Sequence, residues 1–147
     1  MMTPGTYATS PYRRSILRAA FGGLAVIVAL ACLVASALHF GASLTVGSTR
    51  VAEPPILAAA VVEGAIGTAM IVVAAAIGAR RWWAWNAALA GYLFGIGGFL
   101  VGILALVRSP DLRTPFNVAV HAGVLPLLLL GLLLTVTAAG REALSVR

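Results

Sequence analysis

Four stretches of this sequence are long, apolar and almost free of charge: about residues 16–38, 54–79, 85–107 and 115–138. A run of about 20 apolar residues, at about 1.5 Å per residue in a helix, matches the roughly 30 Å hydrocarbon core of a bilayer. No water reaches that core, so each backbone N–H and C=O must find its partner inside its own segment, and each run is expected to be a helix. The connectors are short, which favours antiparallel neighbours. The chain therefore reads as an all-α integral membrane protein, a four-helix antiparallel bundle in up-down-up-down order. Residues 16–138 make one transmembrane domain between an N-terminal tail, 1–15, and a C-terminal tail, 139–147.

Composition narrows the function classes. Of 147 residues, 61% are hydrophobic and 10% charged, where soluble domains carry about 25% charged residues. Once four spans are set aside, too little chain remains for a separate soluble catalytic domain. The net charge is +6, and all ten basic residues are arginines. They stand at helix ends, where lipid headgroups and the positive-inside rule account for them, so no nucleic-acid partner is expected. Cys32 is the single cysteine. One thiol makes neither an intramolecular disulfide nor a Cys-rich metal site, and it reads as a small buried hydrophobe.

The first run has some look of a signal peptide, with Arg13, Arg14 and Arg18 before it and "ASA" at 35–37. It is longer than the roughly 7–15 residues of a signal h-region, so it reads as a retained transmembrane helix. In the connector "HFGASLTVGSTRVAE", 39–53, the "SLTV" suits a short extended piece. Pro54 and Pro55 suit the first turn of the second helix, where a missing N–H is harmless. That helix ends at "RRWWAWN", where Arg80, Arg81, Trp82, Trp83 and Trp85 form an interface signature of indoles at headgroup depth beside cations. "RSPDLRTP", 108–115, is a short loop. Pro126 should kink the fourth helix or open a carbonyl within it, and Gly140 suits a helix cap.

Arginine counting sets the orientation. Arg13, Arg14, Arg18, Arg80, Arg81, Arg141 and Arg147 fall on one side, seven against the three of Arg50, Arg108 and Arg113. Both termini are therefore expected in the cytoplasm. The preference for Arg, Ala, Gly and Val suggests a GC-rich bacterial source, hence a multi-pass protein of the inner (plasma) membrane. Small residues indicate where helices meet. Gly91 and Gly95, Gly98 and Gly102, and the row Ala60, Gly64 and Thr68 all recur at spacing four. Such rows permit close helix approach, either within the bundle or against another membrane subunit or a second copy.

The polar residues inside the spans are the functional candidates. Glu63 interrupts "AAAVVEGAIGTAM". Counted from Pro54, nine residues place it roughly 13 Å into the membrane. A carboxylate there must face the bundle, hold a proton or find a partner. Its expected face carries Ala59, Ala60, Ile66, Gly67 and Met70. His39, at the end of the first run, and His121 and Asn117, early in the fourth, fall in the same outer half, with Glu53 a further candidate. Cys32 and Ser36 share the His39 face. Depth alone does not say whether these side chains turn toward one another. No motif of a P-loop, dinucleotide fold, nucleophile elbow or zinc protease is present, so soluble enzyme chemistry is not expected.

The stretches "LRAAFGGLAVIVALACLVASALHFG", "PPILAAAVVEGAIGTAMIVVAAAIGARRWW" and "NVAVH" carry a likeness over about residues 16–138. An acid followed by a glycine row in the second helix, then an Arg–aromatic turn, resembles the DoxX/DoxD-like group of small four-helix bacterial membrane proteins. The resemblance implies a small pocketed bundle, in some members accessory to membrane redox or thiol-stress systems. Three functions fit the residues. The favoured one is a non-catalytic accessory subunit or partner in a membrane complex. The alternatives are a proton-coupled small-molecule transporter using Glu63, and a haem-, quinone- or metal-binding redox protein using His39 and His121. The sequence names no cofactor, and the lipid bilayer is the one partner it implies directly.

Overall fold

The computed structural model describes residues 10–145. It is a helical bundle with four helices long and apolar enough to cross a membrane: α1 (Pro11–His39), α2 (Leu57–Gly78), α3 (Ala84–Arg108) and α4 (Pro115–Val136). A short helix, α5 (Ala138–Leu144), follows α4. A hairpin of β1 (Ser43–Val46) and β2 (Thr49–Ala52) joins α1 to α2. The protein is thus a multi-pass membrane protein.

α1 starts five residues before the apolar run. The Ser10 hydroxyl accepts from the Arg13 N–H at 3.3 Å, and Pro11 takes the first helical position, where its missing N–H costs nothing. Part of the expected N-terminal tail is therefore helix, while residues 1–9 lie outside the described residues. α1 closes with Gly41 at φ +92: its N–H donates to the Leu38 carbonyl and the Ala42 N–H to the Ala37 carbonyl. That is the Schellman arrangement, which favours glycine at its left-handed position. α2 closes the same way with Arg80 at φ +50 and the Arg81 N–H donating to the Ala76 carbonyl at 2.9 Å.

The "SLTV" segment is extended, and it pairs antiparallel with Thr49–Ala52, Ser43 opposite Ala52 and Val46 opposite Thr49. Gly47, at φ +61, opens the two-residue turn, the position glycine takes in a hairpin turn of type II′. The prolines act differently from expectation. Pro54 and Pro55 lie before α2, which is capped at Ile56. A residue preceding proline is steered out of helical geometry. Chain extended by the hairpin therefore continues to Ile56, whose N–H donates to the His39 carbonyl at 3.0 Å.

α1 packs chiefly on α2, α2 on α3 and α3 on α4, and α4 returns to α1. Named contacts fix these interfaces. A methyl group at Gly67 would lie 2.7 Å from Leu33 Cγ on α1, one at Gly91 2.7 Å from Val73 Cγ2 on α2, and one at Gly95 2.8 Å from Leu128 Cδ2 on α4. One at Gly98 would lie 2.7 Å from Ile66 Cδ1. The Ala60–Gly64–Thr68 row is only partly used. Four residues advance about 400°, so such a row drifts around the helix. Contact with α1 passes from Ala60 and Gly64 to Gly67, while Thr68 is exposed and bonds the Gly64 carbonyl.

Pro126 sits inside a continuous α4. Having no N–H, it leaves the carbonyl one turn before it, that of Ala122, without its helical donor. The break comes later. α4 ends at Val136, and Thr137 adopts extended backbone, its hydroxyl accepting from the Gly140 N–H at 3.0 Å to cap α5. The expected C-terminal tail therefore carries a helix, and Ala143 and Leu144 are buried in the core. Gly140 is no cap. A methyl there would strike the Leu134 carbonyl oxygen and lie 3.1 Å from Phe21 Cζ. Because the obstacle is backbone, Gly140→Ala should cost about 2 kcal/mol or more. Loss of α5 protection in hydrogen exchange, with α1–α4 unchanged, is the expected reading; unchanged α5 protection would contradict it.

The arginine-tryptophan turn divides its members. Trp82 is 78% exposed, and Arg80 and Arg81 are exposed as well. Trp83 caps α3 and is half-buried. Trp85 instead turns into the bundle: its indole N–H donates to the Thr135 carbonyl at 3.1 Å and Arg141 lies 4.7 Å over its ring. Two other arginines close helix ends. Arg113 donates to the Leu106 and Val107 carbonyls at 2.6 and 2.7 Å, and Arg18 to the Ala143 carbonyl at 2.6 Å.

Candidate functional site

The site begins with two matched pairs between α1 and α2. Ser36 and His39 stand three residues apart on α1, and Ala60 and Glu63 stand three apart on α2. Residues so spaced share a helix face. The Ser36 hydroxyl donates to the Ala60 carbonyl at 2.7 Å, and His39 Nδ1 lies 2.7 Å from Glu63 Oε2. Gly64 makes this approach possible, since a methyl there would lie 2.9 Å from the Ser36 oxygen. His39 is 1% and Glu63 4% exposed. His39 therefore does more than end its helix: it is the direct partner of the intramembrane acid. Cys32, one and two turns before these residues, is fully buried and uninvolved in this contact.

α2 starts at Leu57, so Glu63 lies six residues into the helix. That is about 9 Å from its start rather than roughly 13 Å. The residues expected to share its face do so for the most part: Ala60, Ile66, Gly67 and Met70 are buried, and Ala59 is half-buried.

α4 supplies the other wall. Thr114 caps it, accepting from the Asn117 N–H at 3.1 Å. The Thr114 hydroxyl also donates to the Glu53 carboxylate, which ties the hairpin to the start of α4. Glu53 is spent there and does not join Glu63. Asn117 Nδ2 donates to the Leu112 carbonyl at 3.0 Å, and His121 Nδ1 donates to the Asn117 carbonyl at 2.9 Å. With Nδ1 so engaged, His121 directs Nε2 at α3, where only the missing side chain of Gly102 makes room for it. The Phe99 ring lies against the imidazole, centroids 5.1 Å apart and planes tilted by 56°.

Glu63, Asn117 and His121 line one cavity of about 240 Å³, walled otherwise by apolar groups such as Ile66, Phe99 and Leu106. His39 is not in its wall; it stands behind Glu63. Glu63 Oε1, Asn117 Oδ1 and His39 Nε2 are buried without a hydrogen-bond partner among the described residues. The four candidates thus form two pairs, His39 with Glu63 and Asn117 with His121, and three of the four line one cavity. Phe99 and the Glu53–Thr114 latch were not legible in the sequence. "TP" before an apolar run signals a capped helix start, but nothing local says which acid reaches the threonine.

The donor set bears on ligand chemistry. No group of three or more His, Cys, Asp or Glu stands together at ligating distance among the described residues. Of the two histidines, His121 lines this cavity and His39 does not. The polar side chains in the cavity lining are a carboxylate, an amide and an imidazole, and of their atoms Glu63 Oε1 and Asn117 Oδ1 are acceptors without a partner among the described residues. The chain matches no family model, no curated protein and no solved structure, so this geometry is what speaks for its function.

Proposed function

We propose that this membrane protein is a proton-coupled transporter of a small organic molecule, in which Glu63 alternates between proton and ligand and His39 is its proton partner. One observation carries the reading: Glu63 lines a mostly apolar cavity, bonds His39 through one carboxylate oxygen, and leaves the other oxygen unpartnered. An unpaired buried polar atom costs about 1–3 kcal/mol, a cost that a ligand donor removes. The pair also suits proton exchange. With a proton on Oε1, Glu63 is neutral and its Oε2 accepts from His39 Nδ1–H. Loss of that proton leaves a carboxylate, one negative charge, and the Nδ1–H···Oε2 bond intact. A cationic ligand that binds as that proton leaves keeps the net charge of the site constant.

The up-down-up-down antiparallel order belongs to the same proposal. Support comes from contacts that descend one helix as they climb the next: Gly22 by Ile77 and Ser36 by Ala60, Gly91 by Val73 and Gly98 by Val62, Gly95 by Leu128 and Gly102 by His121. In this proposal, which the arginine bias supports, both termini lie in the cytoplasm, the hairpin outside and the cavity in the outer half of a bacterial inner membrane. The likeness to the DoxX/DoxD-like group is kept as one of architecture, four spans with an acid and glycine in the second. The accessory-subunit reading loses one of its three supports, since Gly64, Gly91, Gly95, Gly98 and Gly102 face helices of their own chain, and keeps the other two, small size and the absence of catalytic motifs.

Proteoliposomes with an imposed pH gradient test the proposal, with phenylguanidinium and dodecylamine as probe cations. The expected result is gradient-dependent flux that falls at least tenfold in Glu63→Gln, a variant that retains an acceptor for His39. Absence of flux with both probes, or flux unchanged by Glu63→Gln, overturns it.

A further inference from the structure

The cavity is covered toward the hairpin and open toward the side. Ile56, Leu106 and Leu112 stand at its hairpin end, Leu112 as the last residue of the 3-10 turn Pro110–Leu112. The Asn117 amide holds the Leu112 carbonyl, and Arg113 bonds the Leu106 carbonyl. Its exposed lining residues are Ala58 and Val62 on α2 and Val101 and Ala105 on α3. Each pair lies one helical turn apart. Val62, five residues into α2, and Val101, seven before the end of α3, lie about 8 and 10 Å from their helix ends. Farther along, α2 and α3 close on each other: a methyl at Gly98 would lie 2.7 Å from Ile66 Cδ1 and 3.1 Å from Val62 Cγ1. The gap between the helices is thus floored at Gly98 and open above it, within two segments apolar enough to span a bilayer.

We infer that the cavity is loaded sideways from the lipid, through the gap between Ala58 and Val62 on α2 and Val101 and Ala105 on α3. Its ligand is a lipophilic amine, whose ammonium head reaches Glu63 Oε1 while its hydrocarbon leaves through the gap. This rests on the transporter reading and adds the ligand class and route. The chemistry follows from what lines each part. The mouth is four hydrocarbon side chains, which lower the free energy of an alkyl chain and offer a hydrated ion nothing. The inner end is polar and short of donors: Glu63 Oε1 and Asn117 Oδ1 are both buried acceptors without partners among the described residues. An ammonium brings three N–H donors and a charge opposite to the carboxylate. A fatty acid brings the wrong charge, and a neutral alcohol brings one donor and no charge.

The intact protein in nanodiscs, equilibrated with dodecylamine, dodecanol, dodecanoate or the water-soluble butylamine, tests the inference by retained probe above empty nanodiscs. Dodecylamine should be retained at least tenfold above the other three. Ala58→Trp and Ala105→Trp, both at exposed positions, should each cut retention at least tenfold by filling the mouth, and Leu93→Trp, exposed on α3 away from the cavity, should not. No retention of dodecylamine overturns the inference. So does retention that both mouth tryptophans leave unchanged, or butylamine held as well as dodecylamine, which would mean loading from water. Proton release on binding, followed with a pH-sensitive dye in weak buffer, separates the two readings. Dodecylamine retained through the mouth without proton release would sink proton coupling and leave the lateral route standing.

Discussion

Replacing His39 with leucine should destabilise the protein by about 3 kcal/mol, and replacing Glu63 with leucine as well should restore part of that loss. The reason is asymmetric. His39 and Glu63 are 1% and 4% exposed and 2.7 Å apart, so each is the other's solvent. Truncating one partner of a buried pair leaves the other uncompensated, at about 3–5 kcal/mol, whereas replacing both by apolar groups of similar size is often neutral or better. In a membrane the penalty is at the low end, because the unfolded reference also finds partners. Glu63→Gln should lose about 1 kcal/mol, since the amide oxygen still accepts from Nδ1–H. Unfolding by denaturing detergent in mixed micelles gives all three values. A double leucine variant less stable than His39→Leu would show that the pair contributes net stability and that the asymmetry is wrong.

Gly131→Ala should be more damaging than its single added methyl suggests, by about 2–4 kcal/mol. The methyl would run into the Tyr92 ring, lying 2.8 Å from Cδ1 and closer to Cε1 and Cζ. Tyr92 is fully buried, so the ring has no solvent to move into. Alanine ordinarily gains about 0.5–1 kcal/mol over glycine in a helix, so the clash must exceed that gain for the prediction to hold. Tyr92→Leu in the Gly131→Ala background should recover much of the loss by making room. Tyr92→Phe should be neutral or mildly stabilising, because the hydroxyl is buried with no partner among the described residues. The same unfolding titrations decide both; a stabilised Gly131→Ala would mean that α3 and α4 are packed less tightly than 2.8 Å implies.

The two variants probe different halves of the bundle, and the sequence spoke unequally about them. Glu63 was visible at once, because a carboxylate in an apolar run has few permitted fates. That His39 is its partner was only one of several arrangements consistent with depth. The choice turns on helix rotation: Ser36 and His39 had to face Ala60 and Glu63 in matched register, and that depends on Gly64 admitting the Ser36 hydroxyl. Tyr92 and Gly131 gave no local signal at all. They lie on different helices, 39 residues apart, and only the packed pair explains why one is small.

Helix boundaries show the same division. The start of α4 is written locally, in Thr114 and Pro115, and it agrees with the structure. The start of α2 is not. Pro54 and Pro55 look like a helix opening, but the hairpin delivers an extended chain that Ile56 anchors to the His39 carbonyl. The break at Thr137 was hidden too, since a threonine in an apolar run carries no mark of the cap it makes with Gly140.

The sequence by itself determined that this chain makes four membrane-length helices, because apolar length and scarce charge leave the backbone no other way to satisfy its hydrogen bonds in lipid. It determined that Glu63 needs a partner. The tertiary structure decided which partner, and it turned Glu63, Asn117 and His121 onto one cavity while leaving His39 behind it. That choice depends on how each helix is rotated about its axis and on where glycine lets two helices touch. Both are set by contacts between residues far apart in the chain, which no local run of sequence encodes.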